Sequence, residues 1–242
     1  MDALVRFRVR PALLVGSLLL GAVVATLTGA AGASTQSAQS LASSAMKNAQ
    51  SGGWVHEVVI TTSKGAVARH STNNIGATES VQVVTTSHGG ASTLIAFSQR
   101  NTLYVHANSA ALSRTYKLSA TSAQRYANEW LRLPSSNARY AAASAGTTLA
   151  SRFGALQFSG TVSWGQVGTI SGVRVRALTG TIAATSSSPK YQATLYVTTS
   201  GTVLPVGLRE VSGTTDVTVE WSNWGHAYAI QVPAPAVNFP SA

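Results

Sequence analysis

From Trp54 onward the hydrophobic pattern of this chain has a period of two, and short turns restart it again and again. Trp54, His56, Val58 and Ile60 alternate with Val55, Glu57 and Val59, the pattern of a strand whose successive side chains point to opposite faces. Lys64-Gly65 turns the chain into a second strand at 66–71. Asn73-Asn74-Ile75-Gly76 reads as a longer turn, and strands follow at 80–86, 93–97 and 102–107, separated by His88-Gly89-Gly90 and Gln99-Arg100-Asn101. A parallel crossover needs a dozen or more residues, so strands joined this closely form an antiparallel meander. The pattern resumes after Gly154 with strands at 158–164 (open to extension past Gly165 through 166–170), 173–177, 191–197, 203–211 and 217–221, Pro205 falling at an edge or in a bulge. No fixed-period repeat relates the two blocks.

Short helical stretches interrupt the strands. Residues 109–116 form one, with Leu112 inward. A second, capped by Ser119 or Thr121, carries Tyr126, Trp130 and Leu131 on one stripe and stops at Pro134. A third, at 144–156, aligns Leu149, Phe153 and Leu156, and 34–48 passes from loose tail to helix before Gly52-Gly53. Helices this small cannot build a core of their own and must bury their stripes on the sheet. The expected class is α+β: one large, continuous, curved antiparallel sheet with short helices covering one face. Val58-Val59-Ile60 and Leu94-Ile95-Ala96-Phe97 are apolar on both parities, which implies that the second face is partly covered too.

The N-terminus has a different character. Arg6, Arg8 and Arg10 precede an apolar run at 13–27 that closes on Ala31-Gly32-Ala33, the three-part layout of a secretory signal at 1–33 with cleavage before Ser34. An uncleaved anchor helix is the competing reading, since the run is nearly long enough to span. Residues 34–232 are then one domain and 233–242 a Pro-rich tail, extended or disordered, in an extracytoplasmic protein. The absence of cysteine removes disulfides, thiolate metal sites and an acylated N-terminal cysteine.

Charge and chemistry narrow the function. The net charge is +10, but the bases stand singly (Lys47, Lys64, Arg69, Arg100, Arg114, Arg139, Arg174, Lys190), not clustered among aromatics as nucleic-acid binding demands. The remaining consequence is weak attraction to anionic lipid headgroups or cell-wall polymers, with a membrane surface as a contact. Arg174 and Arg176 could meet an anionic headgroup, but a solvated sheet face is the preferred reading of them. Asp216 is the only Asp after Asp2, and Glu57, Glu79, Glu129, Glu210 and Glu220 are dispersed. His56, His70, His88, His106 and His226 do not fall at metal-ligand spacing, and no serine sits in a Gly-x-Ser-x-Gly elbow. Neither an enzyme nor a cofactor is expected.

Tyr104 with Ala107, then Arg125-Tyr126-Ala127, Trp130, Leu133-Pro134 and Tyr140 form a recognisable series. So do Gly172-Val173, Leu195-Tyr196-Val197, Gly201 with Leu204-Pro205, and Val219-Glu220-Trp221-Ser222-Asn223-Trp224. Across residues 40–235 the chain resembles the exported actinobacterial proteins of the LppX/LprG type, within the LolA-like lipoprotein-carrier superfamily. Such relatives usually carry an N-terminal lipid-modified cysteine, which this chain lacks. The resemblance implies a half-barrel of about ten or eleven strands with short helices covering its concave side, and a monomeric, secreted carrier of lipid or an acylated ligand, its acyl chains held in an apolar cavity between sheet and helices. Alternation places Ile60, Val83, Leu94, Val105, Phe153, Val175, Leu195 and Val219 along that cavity, with Tyr126, Trp130 and Leu131 closing over it. The alternative is a structural or sensory envelope domain with a packed interior, acting through protein contacts; a cell-wall hydrolase would need two of the dispersed acids to converge.

Overall fold

A computed structural model describes residues 36–182 and 191–240. The export signal expected at 1–33 and the polar turn expected at 185–190 lie outside the described residues. From Gln36 onward the chain forms a compact unit by itself. Its frame is one sheet of twelve strands, and the two that the alternation had not anticipated are β6 and β12.

The first meander runs through β1 (Trp54–Ser63), β2 (Ala66–Gly76), β3 (Glu79–Thr86), β4 (Ala91–Phe97), β5 (Thr102–Ala107) and β6 (Trp130–Pro134). The second runs through β7 (Phe158–Ile170), β8 (Val173–Ile182), β9 (Tyr191–Thr198), β10 (Pro205–Ser212) and β11 (Thr215–Ser222). The spatial order is β12-β6-β5-β4-β3-β2-β1-β11-β10-β9-β8-β7. Each meander is therefore continuous, and the two meet along one antiparallel seam, β1 against β11, in register from His56–Ser222 to Ser63–Thr215. The sheet stays open, with β7 and the two-residue β12 (Val237–Asn238) at its edges. Pro205 begins β10 at a register shift, the bulge that a residue without an N–H favours.

Five helices lie on one face: α1 (Ala38–Gln50), α2 (Ser109–Arg114), α3 (Ala120–Arg125), α4 (Tyr140–Ser144) and α5 (Leu149–Gly154). Ser37, Asn108, Ser119 and Thr148 cap α1, α2, α3 and α5 through side-chain oxygens that accept backbone N–H groups. Two apolar clusters result on this inner face. The larger joins α1 and α5 to β1 and β8–β11 through Ala45, Leu149, Phe153, Leu178, Leu195 and Trp221. The smaller joins α2 and α3 to β4–β6 through Leu94, Val105, Leu112, Leu131 and Leu133.

Two local expectations are corrected. Asn73-Asn74-Ile75-Gly76 is the end of β2, not a turn. Asn73 and Asn74 point to opposite faces, where Asn73 donates to Glu57 and Asn74 pairs with His56, so side-chain partners hold a turn-like sequence extended. Trp130 and Leu131 do not share a helical stripe. α3 stops at Arg125, and Asn128 adopts a left-handed conformation (φ 64°) with its N–H on Ala107. Trp130–Pro134 then pairs with β5, which sends Leu131 and Leu133 inward and Trp130 outward, beside His106 at a ring separation of 5.2 Å.

The tail also belongs to the fold. Val237–Asn238 pairs parallel with β6, Phe239 is buried in the smaller inner cluster, and Ile230 and Ala236 pack with Ile95, Phe97, Tyr104 and Trp130 on the outer face. The outer face is thus partly covered, as the double-parity strands implied.

Candidate functional site

The inner face is apolar at both ends and polar in the middle. Along β1–β3 it carries Glu57, Ser71, Asn73 and Ser80, all buried, and Gln82, half-buried, among the apolar Val55, Val59 and Ile75. Glu57 has 0% exposure. A buried carboxylate is costly unless its oxygens are taken up, and here they are saturated. Arg152 of α5 donates from Nε to Oε2 and from Nη2 to Oε1, each at 2.7 Å. Trp221 Nε1 donates to Oε2 at 2.9 Å, and Asn73 Nδ2 donates to Oε1. The group ties α5 to β1, β2 and β11 at the seam. With its lone pairs committed to four donors, Glu57 is a structural hub and not a free acid or base.

A second carboxylate, Glu210 on β10, accepts the Tyr191 hydroxyl at 3.1 Å. Burial raises its pKa above the ordinary carboxylate value, against the opposing pull of that hydrogen bond and of Arg152. Burial also raises the Tyr191 and Tyr116 phenols. Among the described residues no group of three or more His, Asp or Glu side chains is arranged to hold a metal, and no helix is long and apolar enough to cross a membrane.

The residues expected to line one cavity separate into several places. Leu94, Val105 and Leu131 lie in the smaller inner cluster, with Tyr126 packed against it. Phe153, Leu195 and Val219 lie in the larger one. Val175 is buried on the face opposite Leu178. Ile60 is half-buried on the outer face, Val83 is 46% exposed, and Trp130 belongs to the outer cluster. Ile60, Val83, Trp130 and Val175 are therefore not inner-face residues. The inner-face residues are packed against one another, with Val105, Leu131, Phe153 and Leu195 at 0% exposure.

The open space lies elsewhere. A cleft of about 270 Å³ runs between α1, α5 and the start of β7. Ala42, Met46, Phe153, Leu156 and Phe158 give it an apolar floor, and Gln39, Ser43, Lys47, Gln50 and Gln157 give it a polar rim. Of the expected lining residues only Phe153 borders it. The helical signal of α1 was legible in the sequence. That its outer flank, rather than the sheet, would border open space was not. A second, larger and more open recess of about 610 Å³ lies at the β6 edge, among Arg132, Ser136, Asn137 and Asn238, with Pro134, Ala138 and Phe239 as its apolar lining.

No family model matches the sequence, and no curated protein matches it. Among solved structures it is similar to LprF from Mycobacterium bovis, 14% identical with a TM-score of 0.50, over 82% of this chain and 97% of that one. It is equally similar to the Mycobacterium tuberculosis lipoprotein LppX, 14% identical with a TM-score of 0.50, over 79% of this chain and 98% of that one. The fold is that of the LppX type, as the sequence resemblance implied.

Proposed function

We propose that this protein is a non-enzymatic cell-envelope carrier that holds an acyl chain of a lipid or lipoprotein in the cleft between α1, α5 and β7. The observation that carries this reading is the cleft itself: an apolar floor with neutral and basic groups at its rim suits an acyl chain whose polar end stays in water. Its volume falls just below the roughly 300–1,000 Å³ usual for small-molecule sites, which suits part of one chain better than a diacyl pair. Each methylene buried there contributes about 0.8 kcal/mol, so a partly inserted chain already binds usefully. The LppX-type fold and the export signal expected in the sequence support the envelope setting.

Extraction of the purified protein under native conditions, followed by lipid mass spectrometry and uptake of a fluorescent fatty acyl probe, tests the proposal. The expected result is co-purified acyl lipid and saturable uptake. Ser43→Trp, an exposed cleft-rim position outside the core, should reduce uptake at least tenfold without changing the melting temperature. No lipid and no uptake would point to the second reading, a structural envelope domain acting through protein contacts, which the dense packing of both inner clusters favours.

A further inference from the structure

Between Glu129 and Glu210 the sequence contains no acidic residue, and α1 contains none either. The fold gathers parts of these two segments at one end of the sheet. Asn48 Nδ2 donates to Val203 O at 2.9 Å, which sets the last turn of α1 against the β9–β10 loop. Thr199 N donates to Arg174 O at 3.2 Å, which sets that loop against the start of β8. Lys47, exposed, therefore lies at the same end as Arg174 and Arg176.

The edge strand beside them is equally one-sided. β7 has no charged residue in its thirteen positions, and its register sets Trp164 opposite Leu178, Val167 opposite Arg176 and Thr169 opposite Arg174. These side chains share the inner face, beyond the helices. Trp164 is 50% and Val167 42% exposed. The Arg176 guanidinium lies over the Trp164 ring, 5.4 Å from its centroid, so the indole is presented with a cation held above it. The carboxylate that meets this hairpin, Glu220, takes the Ser171 hydroxyl and belongs to the opposite face, since its neighbour Trp221 points inward.

We infer that the β7–β8 end is a docking surface for an anionic lipid bilayer, with Trp164 and Val167 entering the interface and Lys47, Arg174 and Arg176 meeting the headgroups. Half-exposed aromatic and aliphatic side chains ringed by bases match the two layers of a bilayer surface, an aromatic-accepting interface beneath negative charge. Three bases with one indole do not make the phosphate-tracking array of a nucleic-acid site. This inference is independent of the cargo, because docking requires no ligand in the cleft.

Flotation of the chain from Gln36 onward with phosphatidylcholine vesicles, with and without phosphatidylglycerol, tests it without the apolar N-terminal run. Binding to the anionic vesicles should weaken with added salt. It should fall at least tenfold in the double variant Arg174→Gln/Arg176→Gln and in Trp164→Ala, both keeping the parent circular dichroism and melting temperature. Absence of flotation at low salt, equal flotation with neutral vesicles, or unimpaired variants would each overturn it. So would sedimentation showing a dimer paired through β7, since the patch would then face a second copy of the chain.

Discussion

Glu57 is the residue on which the two meanders and α5 converge. Removing Arg152 would leave its carboxylate buried with only two donors. Arg152→Met should therefore cost about 3 kcal/mol, at the low end of the range for breaking buried pairs, because Arg152 keeps 32% of its side chain in water; urea denaturation measures this. Glu210 gives a pH-dependent effect. Its folded pKa is raised by burial, so its contribution to stability is complete below the unfolded value and is lost as pH rises through the folded one. Thermal melts from pH 4 to pH 7 should show the parent losing ground to Glu210→Gln as pH increases. Glu57 also explains where alternation misleads. With a carboxylate on the Val55-Glu57-Val59 parity, the other parity of β1 looks like the core side, and Ile60 is chosen. Likewise Ser80 and Gln82 face inward on β3, so Val83 looks inward and is not. Where the inner face is apolar, at Leu94, Val105, Leu195 and Val219, the same rule finds it.

Among the elements, β6 and β12 were the least legible. Trp130-Leu131-Arg132-Leu133 alternates with period two, but over so few residues that the preceding helix pattern extends across it; only the left-handed Asn128 breaks the two apart. β12 carries almost no signal, because the pairing of two residues with β6 depends on the rest of the sheet already being in place. Its anchor is Phe239, 5% exposed, 5.9 Å from the Tyr116 ring and beneath the Arg139 guanidinium. Phe239→Ala should destabilise the fold by about 3 kcal/mol, the usual cost of emptying a buried aromatic site. Hydrogen exchange should show the β6 amides losing protection before those of β1 or β11.

At the scale of the whole molecule, the sequence foretold an open, curved sheet with helices on one side, because that architecture follows from strand spacing and helix size. It did not foretell how the inner space is divided. Contact between α1 and α5 is tertiary, and it moves the open volume from the sheet surface to a helix flank. If α1 is the movable wall of the cleft, its small inward residues Ala38, Ala42, Ala45 and Ala49 give it a smooth face that can shift without unlocking large side chains. The bases and the exposed indole stand at the end of the sheet where α1 finishes, so docking and loading would take place on neighbouring surfaces.

The seam between β1 and β11 has a consequence for how the chain assembles. Glu57 and Trp221 are 164 positions apart in sequence, so their contact must overcome the loop-closure entropy of most of the chain, whereas each meander forms from neighbouring strands. Two half-sheets are therefore expected to form before the whole one, each with an unpaired edge on which foreign strands could polymerise. A charged side chain on such an edge discourages wrong partners. Before closure Glu57 is that charge, still hydrated; at closure it receives Arg152 and Trp221 and becomes the hub, so the residue that guards the unfinished edge is the one that locks the finished joint.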